Sequence, residues 1–351
     1  MSNVFKPDTL CVQGGWSPKK GEPRVLPIYQ STTFKYETSD QMAKLFDLEE
    51  SGYFYTRLQN PTNDAVASKI CALEGGAAAM LTSSGQAASF YAMFNICSAG
   101  DHIVSASTIY GGTFNLFAVT MKKLGIEVTF VDQDAPVDVI AKAFQPNTKA
   151  LFAETISNPG LSILDIEKFA QIAHSQGVPL IVDNTFSPLQ ISPIHLGADI
   201  VIHSLTKFIN GSSDTVGGVY CASQQFIDDT KNVNNGSCML LGPTMDSFRS
   251  ASILKNLRTL HIRMKKHSEN AMYLAERFEK DGLKINYPGL KSHRNHELMK
   301  SMMHQEYGFG GLLTLDAGTV DKANELMEMM QQENLGYLAV SLGFYKTLFS
   351  C

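Results

Sequence analysis

An α/β fold built on a mostly parallel sheet, covered by helices on both faces, is predicted by three features of the sequence. Short apolar runs such as HIVSAS, KALFAET, PLIVDNT and ADIVIHS recur along the first two thirds of the chain. They are near-continuously apolar rather than alternating, as expected of strands buried on both faces. Between them lie amphipathic stretches of about 10–15 residues, the length of crossover helices. With 351 residues the chain exceeds what one hydrophobic core supports, so two domains preceded by an arm are expected.

The elements follow in order. Residues 1–60 carry Gly14, Gly15, Pro18, Gly21, Pro23 and Pro27 with little periodicity, and read as an extended N-terminal arm. Asn60-Pro61 marks a turn into the helix DAVASKICALEG, closed by Gly75. AAAMLTSS is a strand, GQAASFYAMFNICSAG a helix ending at Gly100, HIVSAS a strand and TFNLFAVTMKKLG a helix ending at Gly125. EVTFVD, KALFAET, PLIVDNT and ADIVIHS are further strands, interleaved with the helices VDVIAKAF and DIEKFAQIAHSQG. The α/β domain thus covers 61–245. From 246 to 351 the texture changes to α+β. A long helical segment from Asp246 to Gly282 is followed by INYP, GGLLTLDAG, a helix around KANELMEMMQQE, and YLAVSLG.

Composition excludes several classes. Hydrophobic residues are 44% and charged residues 18%, an ordinary globular balance. The net charge of −5 and the absence of a basic tract argue against nucleic acid. The run Arg263, Lys265, Lys266, His267 reads as a solvated helix face. No apolar run approaches the roughly 18 residues of a membrane span, and MSNVFKPDTL lacks the features of a secretory leader, so a cytoplasmic protein is expected. The six cysteines lack zinc-ligand spacing and read as reduced, mostly buried thiols. His293 and His296 lack acidic or cysteine companions and are placed on a surface segment. No metal site is expected. The methionines at helical spacing, among them Met299, Met302, Met303, Met327, Met329 and Met330, read as core filler.

Parallel sheets bind ligands at the carboxyl ends of their strands. Those ends hold SSGQ (Ser83–Gln86), STIYGGT around Tyr110, ETISNP (Glu154–Pro159), DNT (Asp183–Thr185) and SLTK (Ser204–Lys207). Taken singly, each has a plain structural explanation: SSGQ a helix cap, Asp183 a turn cap, Lys207 a solvent-reaching amine. No phosphate-binding GxxxxGK[ST] and no GxGxxG occurs, so neither a nucleoside triphosphate nor a nicotinamide site is supported. Together, however, the groups interlock. A helix N-terminus with Ser204 and Thr206 hydroxyls can cup a phosphate. Asp183 can hold a proton on a pyridine nitrogen, Lys207 has the setting for Schiff-base chemistry, and Tyr110 can stack on a ring. These are the groups pyridoxal 5'-phosphate requires.

Through YFYTRLQNPT, SSGQAA, YGGT, ETISNP, VDNTF, HSLTKFINGSSDTVGG and LRTLHIRMKKHSENA, nearly the whole chain resembles the Cys/Met-metabolism family of pyridoxal-phosphate enzymes. The resemblance implies the aminotransferase-like architecture (fold type I) and a homotetramer of two dimers. It also implies that Lys207 forms the imine and acts as base, that Asp183 pairs with the pyridine nitrogen, and that Tyr110 stacks on the ring. Gly85, Gln86, Thr185, Ser204 and Thr206 then surround the cofactor, with Asn158 at its ring hydroxyl. Tyr55 and Arg57 reach the phosphate of the neighbouring subunit, and Ser341 lies beside the substrate carboxylate.

Within the family, the methionine gamma-lyases typically carry cysteine where Gly112 stands here, and ETISNP is more like the sulfhydrylases than the lyases. The resemblance therefore implies gamma-replacement in methionine biosynthesis: O-acetylhomoserine and sulfide, or another thiol, give homocysteine and acetate. Methionine gamma-lyase, cystathionine gamma-synthase or lyase chemistry, and a non-catalytic relative are the alternatives. Family members bind the substrate carboxylate with an arginine well beyond VSLG, whereas this sequence stops at Cys351 inside an apolar segment, which reads as part of a longer chain.

Overall fold

The computed structural model describes residues 5–47 and 49–350, so that Cys351 lies outside the described residues. The N-terminal segment is not wholly extended: it forms α1 (Pro7–Gln13) and α2 (Ser39–Phe46). Thr38 caps α2 by accepting the Gln41 N–H, a cue lost among the polar residues around it. α3 (Pro61–Glu74) follows with the expected punctuation. The Asn60 side chain accepts the Thr62 N–H, Pro61 occupies the first turn, and Gly75 ends the helix at φ +77°.

The α/β region then runs β1 (Ala78–Thr82), α4 (Gly85–Phe94), β2 (His102–Ala106) and α5 (Gly111–Asn115), which continues as a π-helical segment to Met121. Next come β3 (Glu127–Val131), α6 (Val137–Ala141), β4 (Thr148–Glu154), α7 (Ile166–Ser175), β5 (Leu180–Asp183), β6 (Ile200–Ser204) and β7 (Gly218–Ala222). They form a seven-stranded sheet ordered β1-β7-β6-β5-β4-β2-β3. β6, β5, β4, β2 and β3 pair in parallel, whereas β7 is antiparallel to both β1 and β6. β7 is the strand that sequence reading did not mark, because its start at Gly217 and Gly218 looks like loop. Its antiparallel course leaves β1 pointing the same way as β6, so Thr82 and Ser204 both lie opposite Gly218. The carboxyl end of β1 is thereby brought to those of the parallel strands.

Burial of these strands supplies the main favourable term. Ile103, Val104, Leu151, Phe152, Ile181, Val182, Val201 and Ile202 are fully buried between the helical layers, each worth about 1.5–3 kcal/mol relative to exposure. Phe117 from the π-helical segment packs edge-on against Phe152 at 4.9 Å. Five cysteines (Cys11, Cys71, Cys97, Cys221, Cys238) are free and buried, as expected.

Beyond β7 the chain forms α8 (Gln224–Lys231), α9 (Ser237–Leu241), α10 (Ser247–Leu257) and α11 (Leu260–Lys280). The single long helix expected from Asp246 is therefore two. The Asn256 carbonyl accepts from Thr259 N and Thr259 Oγ1, closing a turn instead of continuing the helical ladder. β8 (Ile285–Asn286), α12 (His296–Met302), β9 (Thr314–Leu315), α13 (Val320–Gln332), β10 (Tyr337–Leu338) and β11 (Leu348–Phe349) complete the described chain. β8 pairs antiparallel with β9, and β10 parallel with β11.

Two surface readings are corrected here. His293 and His296 are buried, and His296 Nδ1 meets the Pro288 carbonyl at 2.9 Å while its ring stacks on Phe309. The polar letters of SHRNHE concealed a packed segment. Conversely, Met299 is core, but Met329 lies on the exposed face of α13.

α1 is fastened to the body at both ends. Asp8 meets Lys265 at 3.0 Å and accepts from the Tyr307 hydroxyl. The buried Lys69 of α3 donates from Nζ to the Cys11 carbonyl at 2.7 Å. Burial, reinforced by the nearby Arg258 charge, lowers the Lys69 pKa to about 8. An unfolded chain keeps that proton up to about pH 10.4. Between those values the unfolded state binds more protons, so this residue makes native stability rise with pH. Urea unfolding of wild type and Lys69→Met should therefore differ in slope between about pH 8 and 10, the variant lacking the upward contribution. Parallel profiles would show that Lys69 does not titrate this way.

Candidate active site

Strand register assembles the site. Glu154 on β4 lies opposite Asp183 on β5, and Asp183 lies opposite Ile202 on β6, two residues before Ser204. Asp183 accepts the Thr185 N–H at 2.9 Å, and Thr185 Oγ1 in turn accepts the Ser204 N–H at 2.8 Å. Thus DNT and SLTK are tied directly to each other. Beneath them, Asn184 is buried and saturated. Its Nδ2 donates to the Ile191 carbonyl and Glu74, and its Oδ1 accepts from the Thr155 and Ser187 hydroxyls. Glu74 Oε1 also lies 2.6 Å from His203 Nε2, both side chains being buried. This polar layer anchors the ends of β5 and β6, since buried polar groups left unpaired would be costly.

Glu154, the first residue of ETISNP, links two predicted site residues. Its Oε1 accepts the Tyr110 N–H at 2.8 Å, while its carboxyl faces that of Asp183 across the strand pair. Burial raises the pKa of both acids, with the proximity of Asp183 adding to the rise at Glu154. The hydrogen bonds that Thr185 gives Asp183 oppose that rise, favouring Asp183 as the member of the pair that carries the charge.

Ser84 caps α4 by accepting the Ala87 N–H, leaving the helix N-terminus open toward β6. A Cβ on Gly85 would lie 2.7 Å from Ser204 Cβ, so only glycine allows this approach. Gln86 and Tyr110 converge beside Gly112, where an added Cβ would sit 2.6 Å from Gln86 Nε2 and collide with the Tyr110 ring. Tyr110 is half exposed, its ring free to meet a ligand. Thr206 Oγ1 accepts the Gly217 N–H at 3.1 Å.

Lys207 follows within a turn after β6. Its Nζ donates to Ser341 Oγ at 2.8 Å, and burial lowers its pKa. Ser341 has φ +89°, a left-handed conformation uncommon for serine. Two residues on, Gly343 at φ +80° packs against the Lys207 and Phe208 backbone so closely that no Cβ fits. Beside this contact is a cavity of about 470 Å³, lined by Thr206, Asp214, Val216, Tyr337, Ser341 and Phe344 among others.

Asn158 lies half-buried in the loop after β4, ahead of a cis bond to Pro159. Tyr55 and Arg57 are not brought to Lys207 within this chain. Arg57 sits 5.2 Å over the Tyr55 ring, beside Met239 Sδ, on the exposed arm.

The arrangement suits a phosphorylated pyridine. Among the described residues Gln86 Oε1 is buried without a partner, and the Gly85–Ser204 cleft has the shape of a cradle, with Lys207 on the turn that begins at Ser204. Fold and site together define a fold type I pyridoxal-phosphate-dependent enzyme. A solved structure of a putative O-acetylhomoserine (thiol)-lyase from Campylobacter jejuni, with N'-pyridoxyl-lysine-5'-monophosphate, superposes at TM-score 0.90. It is 33% identical over 98% of this chain and 92% of that one. The family model described as Cys/Met metabolism PLP-dependent enzyme matches residues 8–351. The chain belongs to this family. Methionine gamma-lyase of Arabidopsis thaliana is 40% identical over 93% of this chain and 75% of its own length. O-acetyl-L-homoserine sulfhydrylase of Leptospira meyeri is 36% identical over 99% of this chain and 87% of its own.

In cofactor-free protein, acylation of Lys207 should titrate below the ordinary lysine value of about 10.4, because burial favours the neutral amine. Peptide mass spectrometry across a pH series checks this. A midpoint at that ordinary lysine value would contradict the burial argument.

Proposed function

We propose that this protein catalyses gamma-replacement on O-acetylhomoserine, with sulfide or another thiol as nucleophile, to give homocysteine and acetate. Gly112 carries the choice among family activities. Its lack of a side chain lets Tyr110 and Gln86 close together, whereas the cysteine typical of methionine gamma-lyases would force the ring outward.

In this reading the N-terminus of α4, through Gly85 and Gln86, holds the cofactor phosphate with the Ser204 and Thr206 hydroxyls. Tyr55 and Arg57 of the arm reach the phosphate of a neighbouring subunit in a homotetramer. Thr185 keeps Asp183 oriented, so that Asp183 holds a proton at the pyridine nitrogen; Asn158 meets the ring hydroxyl. Bound there, the cofactor supplies an electron sink for negative charge developing on the substrate. Lys207, with its pKa lowered by burial, removes the substrate's alpha proton and returns protons later in the cycle. Ser341 aims the amine through the 2.8 Å hydrogen bond and lies where the substrate carboxylate approaches. Tyr110 lies against the ring face and orients it. We place the domain divisions at residues 60 and 245, and the protein in the cytoplasm, where small amino acids and sulfide are available; no described helix is long and apolar enough to cross a membrane.

A second reading, methionine gamma-lyase, draws support from the 40% identity to the Arabidopsis enzyme. In that case methanethiol leaves with no nucleophile replacing it at the gamma carbon, and water hydrolyses the remaining four-carbon imine to oxobutyrate and ammonia.

Purified protein should be yellow, and Lys207→Ala should lose the visible band and at least about 10³-fold in turnover. Homocysteine formed from O-acetylhomoserine only with sulfide present supports replacement. Oxobutyrate formed from methionine at a comparable rate selects the lyase instead.

A further inference from the structure

The turn that carries Lys207 has its own internal bonding, which does not use the carbonyls of Phe208 and Ile209. Lys207 N donates to the Ser204 carbonyl, Asn210 N to that of Leu205, and Gly211 N to that of Lys207. The carbonyls of Phe208 and Ile209, the two residues directly after the lysine, receive Arg263 of α11 instead. Nη1 donates to Phe208 and Nη2 to Ile209 at 2.9 Å, with a further bond to the Asn256 carbonyl at 3.2 Å. Nε donates to Thr259 Oγ1 at 3.2 Å, which holds the fork's orientation. Gly211, at φ +70°, leaves the guanidinium its room, since a Cβ there would overlap it. Arg263 is thus not part of a solvated face; only Lys266 of that basic run is well exposed.

We propose that Arg263 is a positioning residue for Lys207: its planar fork clamps the two carbonyls that follow the lysine and so sets the direction of the Nζ. The opposite side of the same turn is gripped by Gly343 against the Lys207 and Phe208 backbone and by Ser341 at the amine. The backbone of the lysine turn is thus contacted by α11 and by the segment 341–343. Several properties make arginine specific to this task. The fork offers donors in fixed directions to three carbonyls at once, which a lysine ammonium on a flexible stem cannot do. Bonds from a charged donor are about twice as strong as neutral ones. A displacement of about 1 Å at a reacting group costs roughly 100-fold in rate, so a backbone clamp one residue away has leverage on chemistry without touching substrate.

This inference rests on the assignment of Lys207 as the cofactor lysine. The test is Arg263→Lys, measured in cofactor-loaded protein. The visible band is titrated with pH in the absence of substrate, and kcat and KM are determined per loaded subunit. The clamp predicts a shifted band pKa and kcat reduced about tenfold or more with KM within about twofold, since the ammonium cannot replace the fork. A merely structural arginine predicts a lower melting temperature with band pKa and kcat per loaded subunit unchanged, and that result overturns the proposal. Should the lysine variant fail to fold, Thr259→Val, which removes the Nε acceptor together with the Oγ1 bond to the Asn256 carbonyl and leaves the guanidinium in place, is read the same way: a shift in band pKa supports the clamp, and an unchanged pKa and kcat overturn it. A wild-type protein with no band after cofactor loading would instead remove the Lys207 assignment itself.

Discussion

The site depends on the in-register parallel pairing of β4, β5 and β6. That pairing places Glu154 opposite Asp183 and Asp183 beside the strand that ends in Ser204. A one-residue slip would turn every side chain to the other face of the sheet, separating the carboxyl from the hydroxyls and the amine. The apolar bodies of these strands, LFA, LIV and IVI, are buried on both faces, and it is their packing that forbids the slip. Hydrophobic burial distant from the chemistry thus determines where polar groups sit, and the Thr185–Ser204 bond locks the result.

Under this edge lies a second constraint. Asn184, Glu74, His203, Thr155 and Ser187 form a buried polar layer from α3 to β6. Each member is too polar to be buried alone, so the layer tolerates few rearrangements and holds the strand ends rigid. Above it the site is left open: Tyr110 is half exposed, Gln86 Oε1 lacks a partner among the described residues, and the Lys207 amine donates to the Ser341 hydroxyl. An interlocked polar layer beneath and an accessible ring and amine above is the pattern expected of a surface prepared for a ligand.

Much of this was legible in the residues. Asp183 at the end of PLIV and Lys207 after ADIVIHS stood out because an ionisable group closing a buried strand needs a reason. The helix that begins at SSGQ was marked by its small polar start, and Asn60-Pro61 and Gly75 bounded α3 as their backbone preferences require. Glu154 was harder to see, because a glutamate before a loop carries no local signal of burial; only its approach to the Tyr110 N–H reveals its part. Arg263 was misjudged for the same reason. Its neighbours are basic and its helix amphipathic, and nothing in the local sequence distinguishes an arginine facing water from one facing two carbonyls.

The sequence by itself determined the class of architecture and the cofactor, and put forward a lysine, an acid and an aromatic ring as the candidate groups. These follow from local rules: apolar runs, capping residues, and the chemistry of side chains at strand ends. Tertiary structure decided which groups meet. The antiparallel β7 brings the start of α4 to the end of β6, the left-handed Ser341 reaches Lys207 from 134 residues away, and Arg263 grips a turn 54 residues earlier in the chain. Such contacts arise when separate elements pack into a common core, and their partners bear no fixed spacing in the chain.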